Sequence, residues 1–184
     1  MRLFNAVDVP AGPGLLQVLD RLKGVQGAKV LAPDGLHITL KFIGEAEEAM
    51  VPSLCKVLDR SVAGIEPFTM RLRSIGCFPD PSRPRVVWAG VEDGGILKTI
   101  SERLEKGTSA LGFKAETRVF RPHLTLARLR QPIPGLMERF DDLPEDLGNQ
   151  RVAEVKLKSS LLTSAGARHT VVHTAILEEG RQVV

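Results

Sequence analysis

Two stretches of the chain alternate between apolar and polar residues with the two-residue period of a β-strand. The first, GLHITLKFIG, runs from Gly35 to Gly44, and the second, RPHLTLARLR, runs from Arg121 to Arg130. In both, the apolar side chains at every second position would face a hydrophobic layer. A histidine and a threonine lie between them and share the opposite face, which folding alone does not explain.

The same kind of pattern predicts the other elements of secondary structure. Apolar residues with helical spacing predict helices at about 15–22, 47–62 and 96–104, with a short further helix in the weakly patterned segment 133–142. Alternation and short apolar runs predict strands at 2–9, 36–43, 67–76, 85–91, 117–129, 151–163 and 168–178. A proline-rich turn over 77–85 separates the two halves of the chain, and the turn SAGA (164–167) joins the last two strands.

The order of these elements repeats along the chain. Each half reads strand, helix, strand with the His–Thr pair, helix, strand, and the two histidines of these pairs are 86 positions apart. Most consecutive strands are hairpin-like neighbours, which favours antiparallel or mixed sheets. We therefore predict an α+β fold in which two similar lobes with outer helices surround a central cleft. We expect one bilobal domain over 1–184, with approximate halves 1–80 and 84–178 and terminal strands that can cross between the lobes.

The paired polar residues suggest a chemistry. Residues two apart in a strand project from the same face, so His37 lies beside Thr39 and His123 lies beside Thr125. If the two halves face each other across a pseudo-twofold axis, both pairs meet in one cleft. Two imidazoles suit in-line phosphoryl chemistry, because one can remove a proton from the attacking oxygen while the other protonates the leaving oxygen. The threonine hydroxyls can donate hydrogen bonds to phosphate oxygens.

A single histidine on a strand is more often structural than catalytic, but the second copy, at a matching place in a duplicated pattern, changes that balance. The other two histidines, His169 and His173, are each followed directly by a threonine, which therefore points to the opposite face. Their i, i+4 spacing suits metal binding on a helix rather than in a strand. No cysteine or carboxylate cluster accompanies them, so we predict no metal site and no cofactor.

The composition is compatible with a globular protein that handles an anion. The 184 residues are 43% hydrophobic and 26% charged, with a formal net charge of +3. This mild basic excess allows an anionic partner without resembling a nucleic-acid-binding tail. No apolar run reaches the roughly 18 residues of a membrane span. Cys55 and Cys77 lack metal-ligand spacing, and we expect reduced thiols in a cytoplasmic, monomeric protein.

At the two motifs the sequence resembles the two-histidine phosphoesterase superfamily, which is named for its paired HxT motifs. It is most similar to the RNA 2′,3′-cyclic phosphodiesterase branch, historically called 2′-5′ RNA ligase. The blocks RLFNAVDVP and FPDPSRPRVVWAGV are also similar to that branch, and the resemblance extends from Met1 to about Leu177. It implies a LigT-like fold and a metal-independent opening of a cyclic phosphate, on RNA ends or nucleotides, that leaves a 2′-phosphomonoester.

The resemblance also implies roles for the paired residues. His123 would be the base that activates water, and His37 would be the acid that protonates the 3′ oxygen, although near symmetry leaves the reverse order open. Thr39 and Thr125 would bind the phosphate.

Arg128 matches the arginine of the family's HxTxxR extension, where it would be a phosphate-binding cation. Strict alternation places it on the face opposite His123, so the match requires a bulge or a strand end near Ala127; otherwise Arg128 is an ordinary surface arginine. Of the other basic residues, Lys41 has the best claim to contact RNA, because it continues the 37–39 face. Further cations that could line an approach are Arg83, Arg85, Arg118, Arg121, Arg130 and Arg168.

The sequence departs from the family at His169, where an aromatic residue, commonly tyrosine, is usual, so base stacking would fall to phenylalanine or histidine. Trp88 lies in an apolar strand, and we expect it in the core. Two other functions stay open at this point: a module that binds phosphorylated RNA ends without turnover, and 2′-5′ ligation as the reverse of the same reaction. Neither a GxxxxGK[ST] motif nor an adenylation-type lysine motif occurs.

Overall fold

The computed structural model describes residues 1–163 and 166–178, and part of the predicted SAGA turn, Ser164 and Ala165, lies outside the described residues. The helices are α1 (Pro13–Lys23), α2 (Val51–Val62) and α3 (Ile96–Ala110). The strands are β1 (Arg2–Asp8), β2 (Ala28–Val30), β3 (His37–Glu45), β4 (Phe68–Phe78), β5 (Val86–Glu92), β6 (His123–Leu129), β7 (Asp146–Val152), β8 (Glu154–Thr163) and β9 (Gly166–Ile176). Short 3₁₀ turns occupy Pro33–Gly35, Glu48–Met50 and Met137–Phe140.

The strands form two antiparallel sheets. Sheet A has the order β3-β1-β8-β9, and sheet B has the order β2-β6-β5-β4-β7. Each sheet contains strands from both halves of the chain, because β2 and β4 join sheet B whereas β8 and β9 join sheet A. The predicted α+β architecture with antiparallel sheets is confirmed.

Each helix packs on a sheet through its apolar stripe. α1 lies against β2 and β7 of sheet B, α2 lies against β8 and β9 of sheet A, and α3 lies against β3 and α2. Leucines form much of this contact, and burial of one such side chain contributes about 1.5–3 kcal/mol. The buried leucines of the three helices are Leu15, Leu19, Leu22, Leu54, Leu58, Leu97 and Leu104. Across residues 1–163 and 166–178, no helix is long and apolar enough to cross a membrane.

The strand predicted over 117–129 begins only at His123. The carboxylate of Glu116 accepts hydrogen bonds from the next two backbone N–H groups, and such local bonds compete with a strand ladder. Pro122 has no N–H to donate to a neighbouring strand. The residues before β6 therefore form a largely exposed loop.

The strand predicted over 151–163 is in fact two strands. β7 ends at Val152 and β8 begins at Glu154. The chain changes sheets between them, since β7 pairs with β4 in sheet B and β8 pairs with β1 in sheet A. The start of β7 at Asp146 and the three-residue strand β2 were not predicted, because neither segment shows a clear two-residue period.

Candidate active site

The two HxT strands carry the same β-bulge at the same place. In β3 the pairing with β1 skips Leu40, and in β6 the pairing with β5 skips Leu126. A bulge lets two consecutive residues face the same side. Leu40 with Lys41, and Leu126 with Ala127, are accordingly all buried. The alternation is therefore shifted by one residue after each HxT motif.

The shift brings the sixth residue of each motif to the face of its histidine. In β6 this residue is Arg128, so the bulge that its family match requires is present, and Arg128 shares the face of His123 and Thr125. In β3 it is Phe42, which is 66% exposed and lies 6.1 Å from the ring of Phe4, centroid to centroid. Strict alternation assigned Phe42 to the buried side, and this is why sequence reasoning missed it.

The same bulge makes the prediction for Lys41 wrong. Its side chain does not continue the His37 face but is buried on the core side. There Nζ donates to Oε2 of Glu105 at 2.7 Å and to the carbonyl oxygen of Lys114 at 3.0 Å. A buried ammonium needs such partners, so Lys41 ties β3 to α3 and the segment after it and does not face RNA.

The two histidines of the motifs are anchored in the same way. Nδ1 of His37 lies 2.8 Å from the carbonyl oxygen of Gly35, and Nδ1 of His123 lies 2.7 Å from that of Arg121. A carbonyl oxygen only accepts, so Nδ1 carries a proton in each ring and Nε2 is left for proton transfer. Because β3 and β6 lie next to each other, the structure brings both HxT pairs to the region where the two sheets meet.

Both motif threonines are half-buried beside their histidines. Thr39 lies opposite Ala6, whereas Thr125 lies opposite Trp88. Trp88 therefore lies on the cleft face of sheet B, and the prediction that it belongs to the core is wrong. Its indole covers Gly76, where a Cβ would come within 2.3 Å of the ring, and it packs 5.2 Å from Phe78. An apolar strand such as β5 has no polar face that would reveal its orientation.

The two histidines have different ring neighbours. The ring of His37 lies 5.3 Å from Phe4 and 5.2 Å, edge-on, from His169. The ring of His123 lies 5.2 Å, also edge-on, from Phe78. The unusual His169 is thus in direct contact with one of the two motif histidines.

Charge also distinguishes the surroundings of His37. Burial lowers the pKa of His37, and the cations of Lys158 and Arg128 act in the same direction. The hydrogen bond with Gly35 and the carboxylate of Asp8 oppose this effect without cancelling it. The neutral imidazole is therefore favoured in the free protein. Since Arg128 belongs to β6, its influence on His37 in β3 crosses from one sheet to the other.

An ion-pair cluster borders His37 on sheet A. Asp8 lies opposite His37 in the ladder between β1 and β3, and its carboxylate accepts hydrogen bonds from Lys158 and, at 2.9 Å, from Lys156. Burial raises the pKa of Asp8, but the bonds from the two lysines outweigh this and hold that pKa below its usual value. No sequence motif pointed to this cluster, because Asp8 is about 150 positions away from the two lysines.

The fourth histidine of the chain, His173, lies outside this arrangement. Nε2 of His173 is 2.7 Å from Oδ1 of Asp59, a contact that ties β9 to α2. Within the part of the chain that the structure describes, no three or more histidine, cysteine or carboxylate side chains gather as metal ligands. The other cations proposed for RNA are all exposed: Arg83, Arg85, Arg118, Arg121, Arg130 and Arg168.

Comparison with known proteins identifies the family. A family model for LigT like phosphoesterases matches residues 7–88 and 92–170, which include both HxT motifs. The chain belongs to the LigT like phosphoesterases. Two similar family proteins are each named RNA 2′,3′-cyclic phosphodiesterase. The one from Archaeoglobus fulgidus is 35% identical over 90% of this chain and 94% of its own length. The one from Methanothermobacter thermautotrophicus is 36% identical over 92% and 95%.

Solved structures share the fold of this chain. TT0787 of Thermus thermophilus superimposes with a TM-score of 0.81 at 32% identity, covering 96% of this chain and 98% of that one. E. coli LigT complexed with 3′-AMP superimposes with a TM-score of 0.80 at 25% identity, covering 97% and 98%. The predicted LigT-like fold is confirmed.

Proposed function

We propose that this LigT like phosphoesterase hydrolyses the 2′,3′-cyclic phosphate at the end of an RNA, or of a nucleotide, to a 2′-phosphomonoester without a metal. The matched anchoring of His37 and His123 carries the proposal. In both rings a backbone carbonyl accepts from Nδ1–H, which leaves Nε2 for the two proton transfers that the reaction needs. The relatives named RNA 2′,3′-cyclic phosphodiesterase support the substrate class.

In the proposed reaction the oxygen of a water attacks phosphorus, and the bond from phosphorus to the 3′ oxygen breaks. His123 takes the proton of the water, and His37 protonates the departing 3′ oxygen. Thr39 and Thr125 donate to the non-bridging oxygens, and Arg128 neutralises their charge. A bound phosphate anion raises the pKa of His37, which counters the lowering in the free protein and favours the protonated form that an acid needs.

The base of the terminal nucleotide has aromatic surfaces available beside His37. Phe42 is largely exposed while it packs on Phe4, and the ring of His169 lies edge-on to Phe4 at 5.0 Å. Every base has a π-face, so stacking of this kind discriminates little among sequences. We expect RNA ends with different terminal bases to be accepted.

We further propose that the chain acts as one bilobal domain and as a cytoplasmic monomer. Each sheet contains strands from both halves of the chain, so neither half holds a complete sheet. Both cysteines are free thiols, which suits a reducing compartment.

An assay of a nucleoside 2′,3′-cyclic phosphate in the presence of EDTA tests the reaction. We expect turnover to the nucleoside 2′-phosphate, identified by chromatography against the 3′ isomer. No turnover, or turnover that EDTA removes, would contradict the proposal. Tight binding of the cyclic phosphate with no product would show a binding module instead.

Variants of the histidines test the mechanism in the same assay. His37→Ala and His123→Ala are each expected to lose about 10²- to 10⁴-fold in kcat, the usual contribution of an acid or base. His173→Ala is the matched control, because His173 lies on β9 and pairs with α2. An unchanged rate in either motif variant would rule out the two-histidine mechanism.

A further inference from the structure

We propose that Lys29 binds the phosphate on the 5′ side of the terminal nucleotide, with Arg128 between this phosphate and the reacting one and within reach of both, so that the site prefers the end of an RNA strand to a mononucleoside. The inference rests on the proposed function and adds a second phosphate subsite beside the two HxT motifs. Sequence reasoning did not single out Lys29, which lies in the middle of the three-residue strand β2.

Lys29 and Arg128 lie directly opposite each other in the antiparallel ladder between β2 and β6. Opposite residues project from the same face of a sheet, so Lys29 shares the cleft face that the bulge at Leu126 gives to Arg128. Ala28 and Val30, on either side of the lysine, pack against the hydrophobic core. Their packing fixes Lys29 on the other face.

Two like charges opposite each other destabilise a strand pair unless something neutralises them. Both side chains are exposed, and neither has an ion-pair or hydrogen-bond partner among residues 1–163 and 166–178. The cations of the nearby strand β4 differ in this respect, because Asp146 pairs with Arg71 at 2.6 Å and Glu145 pairs with Arg73 at 3.0 Å. An uncompensated cationic pair in a cleft attracts an anion.

Lys29 lies one step beyond the reacting phosphate, on the far side of Arg128. A strand advances about 3.3 Å per residue, so the backbone of Arg128 is roughly 7 Å from that of Thr125 once the bulge is allowed for. The backbone of Lys29 lies about 4.8 Å to the side of that of Arg128, on the neighbouring strand. Arg128 also lowers the pKa of His37, so its charge reaches the two-histidine centre. Successive phosphates of an RNA strand can therefore contact Thr125 and the cationic pair in turn.

The first residue of β9 lies close to Lys29 although it belongs to the other sheet. A Cβ placed on Gly166, the first residue of β9, would lie 3.3 Å from Nζ of Lys29. β9 belongs to sheet A and β2 belongs to sheet B. The ammonium therefore lies where the two sheets approach each other, and not on an outer surface of sheet B.

The test uses two substrates, a dinucleotide that ends in a 2′,3′-cyclic phosphate and the matching mononucleoside 2′,3′-cyclic phosphate. Lys29→Met is expected to lower the ratio of their kcat/KM values, dinucleotide over mononucleoside, about 5- to 10-fold, mainly through KM. Loss of one phosphate contact is also expected to make the salt dependence of the dinucleotide reaction shallower by about 0.7 in log–log slope. Lys29→Arg, which keeps the charge, is expected to restore both.

Lys98→Met is the matched control, because Lys98 is an exposed lysine of α3 that pairs only loosely with Glu102 at 3.8 Å. It is expected to keep the wild-type ratio. A mononucleoside cyclic phosphate with an added 5′-phosphate distinguishes two sources of the bound group. Sensitivity of this compound to Lys29→Met assigns the subsite to any 5′-phosphate, and insensitivity assigns it to the diester of a strand.

If Lys29→Met lowered kcat/KM equally for the two substrates, or for neither, the ratio of dinucleotide to mononucleoside would not change and the subsite would be overturned. Failure of the proposed function would look different, since neither substrate would be turned over by the wild-type protein. The affinities of the corresponding dinucleotide and mononucleoside 2′-phosphates, measured by titration calorimetry, would then decide about Lys29 through the same ratio.

Discussion

The two motif strands, HITLKF (37–42) and HLTLAR (123–128), share one backbone design and differ in what it displays. Both bind their histidine through a carbonyl two residues upstream, and both bulge at the fourth residue. At the fifth position a buried lysine in one strand corresponds to a buried alanine in the other. At the sixth, an exposed phenylalanine corresponds to an arginine.

This difference shows how a duplicated frame can hold an asymmetric substrate. The equivalent parts present two imidazoles in the same way, which suits one reaction with two proton transfers. The residues opposite the histidines already differ, since Asp8 lies across from His37 and Gly90 lies across from His123. Phe42 and Arg128 give the cleft an aromatic end and a cationic end.

The largest expected effect concerns His37 and His123, the two histidines that the motif strands hold in the same way. If the histidines act as a unit, the double variant His37→Ala/His123→Ala loses little more than either single variant, within about tenfold. The measurement is kcat/KM for a 2′,3′-cyclic phosphate in all three variants. If the loss of kcat/KM in the double variant equalled the product of the two single losses, the two histidines would act independently and not as one unit.

The next effect concerns the cationic end. Arg128→Ala is expected to lower kcat/KM by about 10²-fold, because the phosphate loses a charge-assisted donor. Arg128→Lys is expected to recover only part of the loss, since a lysine cannot form two parallel bonds to one phosphate. Full activity of Arg128→Ala would place this side chain outside the site despite the bulge.

At the aromatic end the effect is smaller. Phe42→Ala is expected to raise KM about 5- to 10-fold, or about 1–1.4 kcal/mol, the lower end of the usual contribution of stacking on one base, because Phe42 is 66% exposed. Phe42→Tyr keeps the ring and is expected to behave like the wild-type protein. The control is ribose 2′,3′-cyclic phosphate, which has no base; an equal rise in its KM would show that Phe42 supports the strand and does not bind the base.

At the fifth position of the first motif, Lys41, the expected effect is on stability. Lys41→Met is expected to lower the free energy of unfolding by about 1–2 kcal/mol, because Glu105 loses its charged partner, while kcat stays at the wild-type value. Urea unfolding and the hydrolysis assay give the two numbers. A variant that folds as stably as the wild-type protein but turns over slowly would return Lys41 to the substrate face.

The smallest effect is a pair of opposite pKa changes at His37, followed by NMR titration of its ring. Lys158→Met removes a cation that disfavours the imidazolium, so the pKa of His37 rises. Asp8→Asn removes a favourable anion, so the pKa of His37 falls. In each variant the limb of the pH–rate profile that His37 controls moves in the same direction as its pKa. Shifts of the same sign would indicate a general loosening of the cluster.

The sequence was informative wherever structure follows from a local period. Apolar spacing predicted where α1, α2 and α3 lie. It also predicted that His37 and Thr39 project from the same face of β3. Lys41 and Phe42 were assigned to the wrong faces, because the bulge at Leu40 leaves no signature in the sequence HITLKF. Such bulges depend on the neighbouring strand, which a local pattern does not include.

Contacts between segments that are distant in the sequence could not be predicted either. The switch from sheet B to sheet A between β7 and β8 interrupts what reads as one continuous strand. The contact of His37 with His169 depends on that switch, and the placement of Lys29 beside Arg128 depends on the pairing of β2 with β6. They arise from strand order, which the periodicity of a single segment does not specify.

The pairing of β1 with β8 has a consequence for synthesis of the protein. Both motif histidines and Arg128 have left the ribosome by the time residue 128 has been added and emerged, yet sheet A still lacks two of its four strands, β8 and β9. Pairings this distant form late, after the intervening chain has been ordered. A nascent chain can therefore carry both HxT motifs before it has a cleft, and the cleft is complete only once β9 has folded.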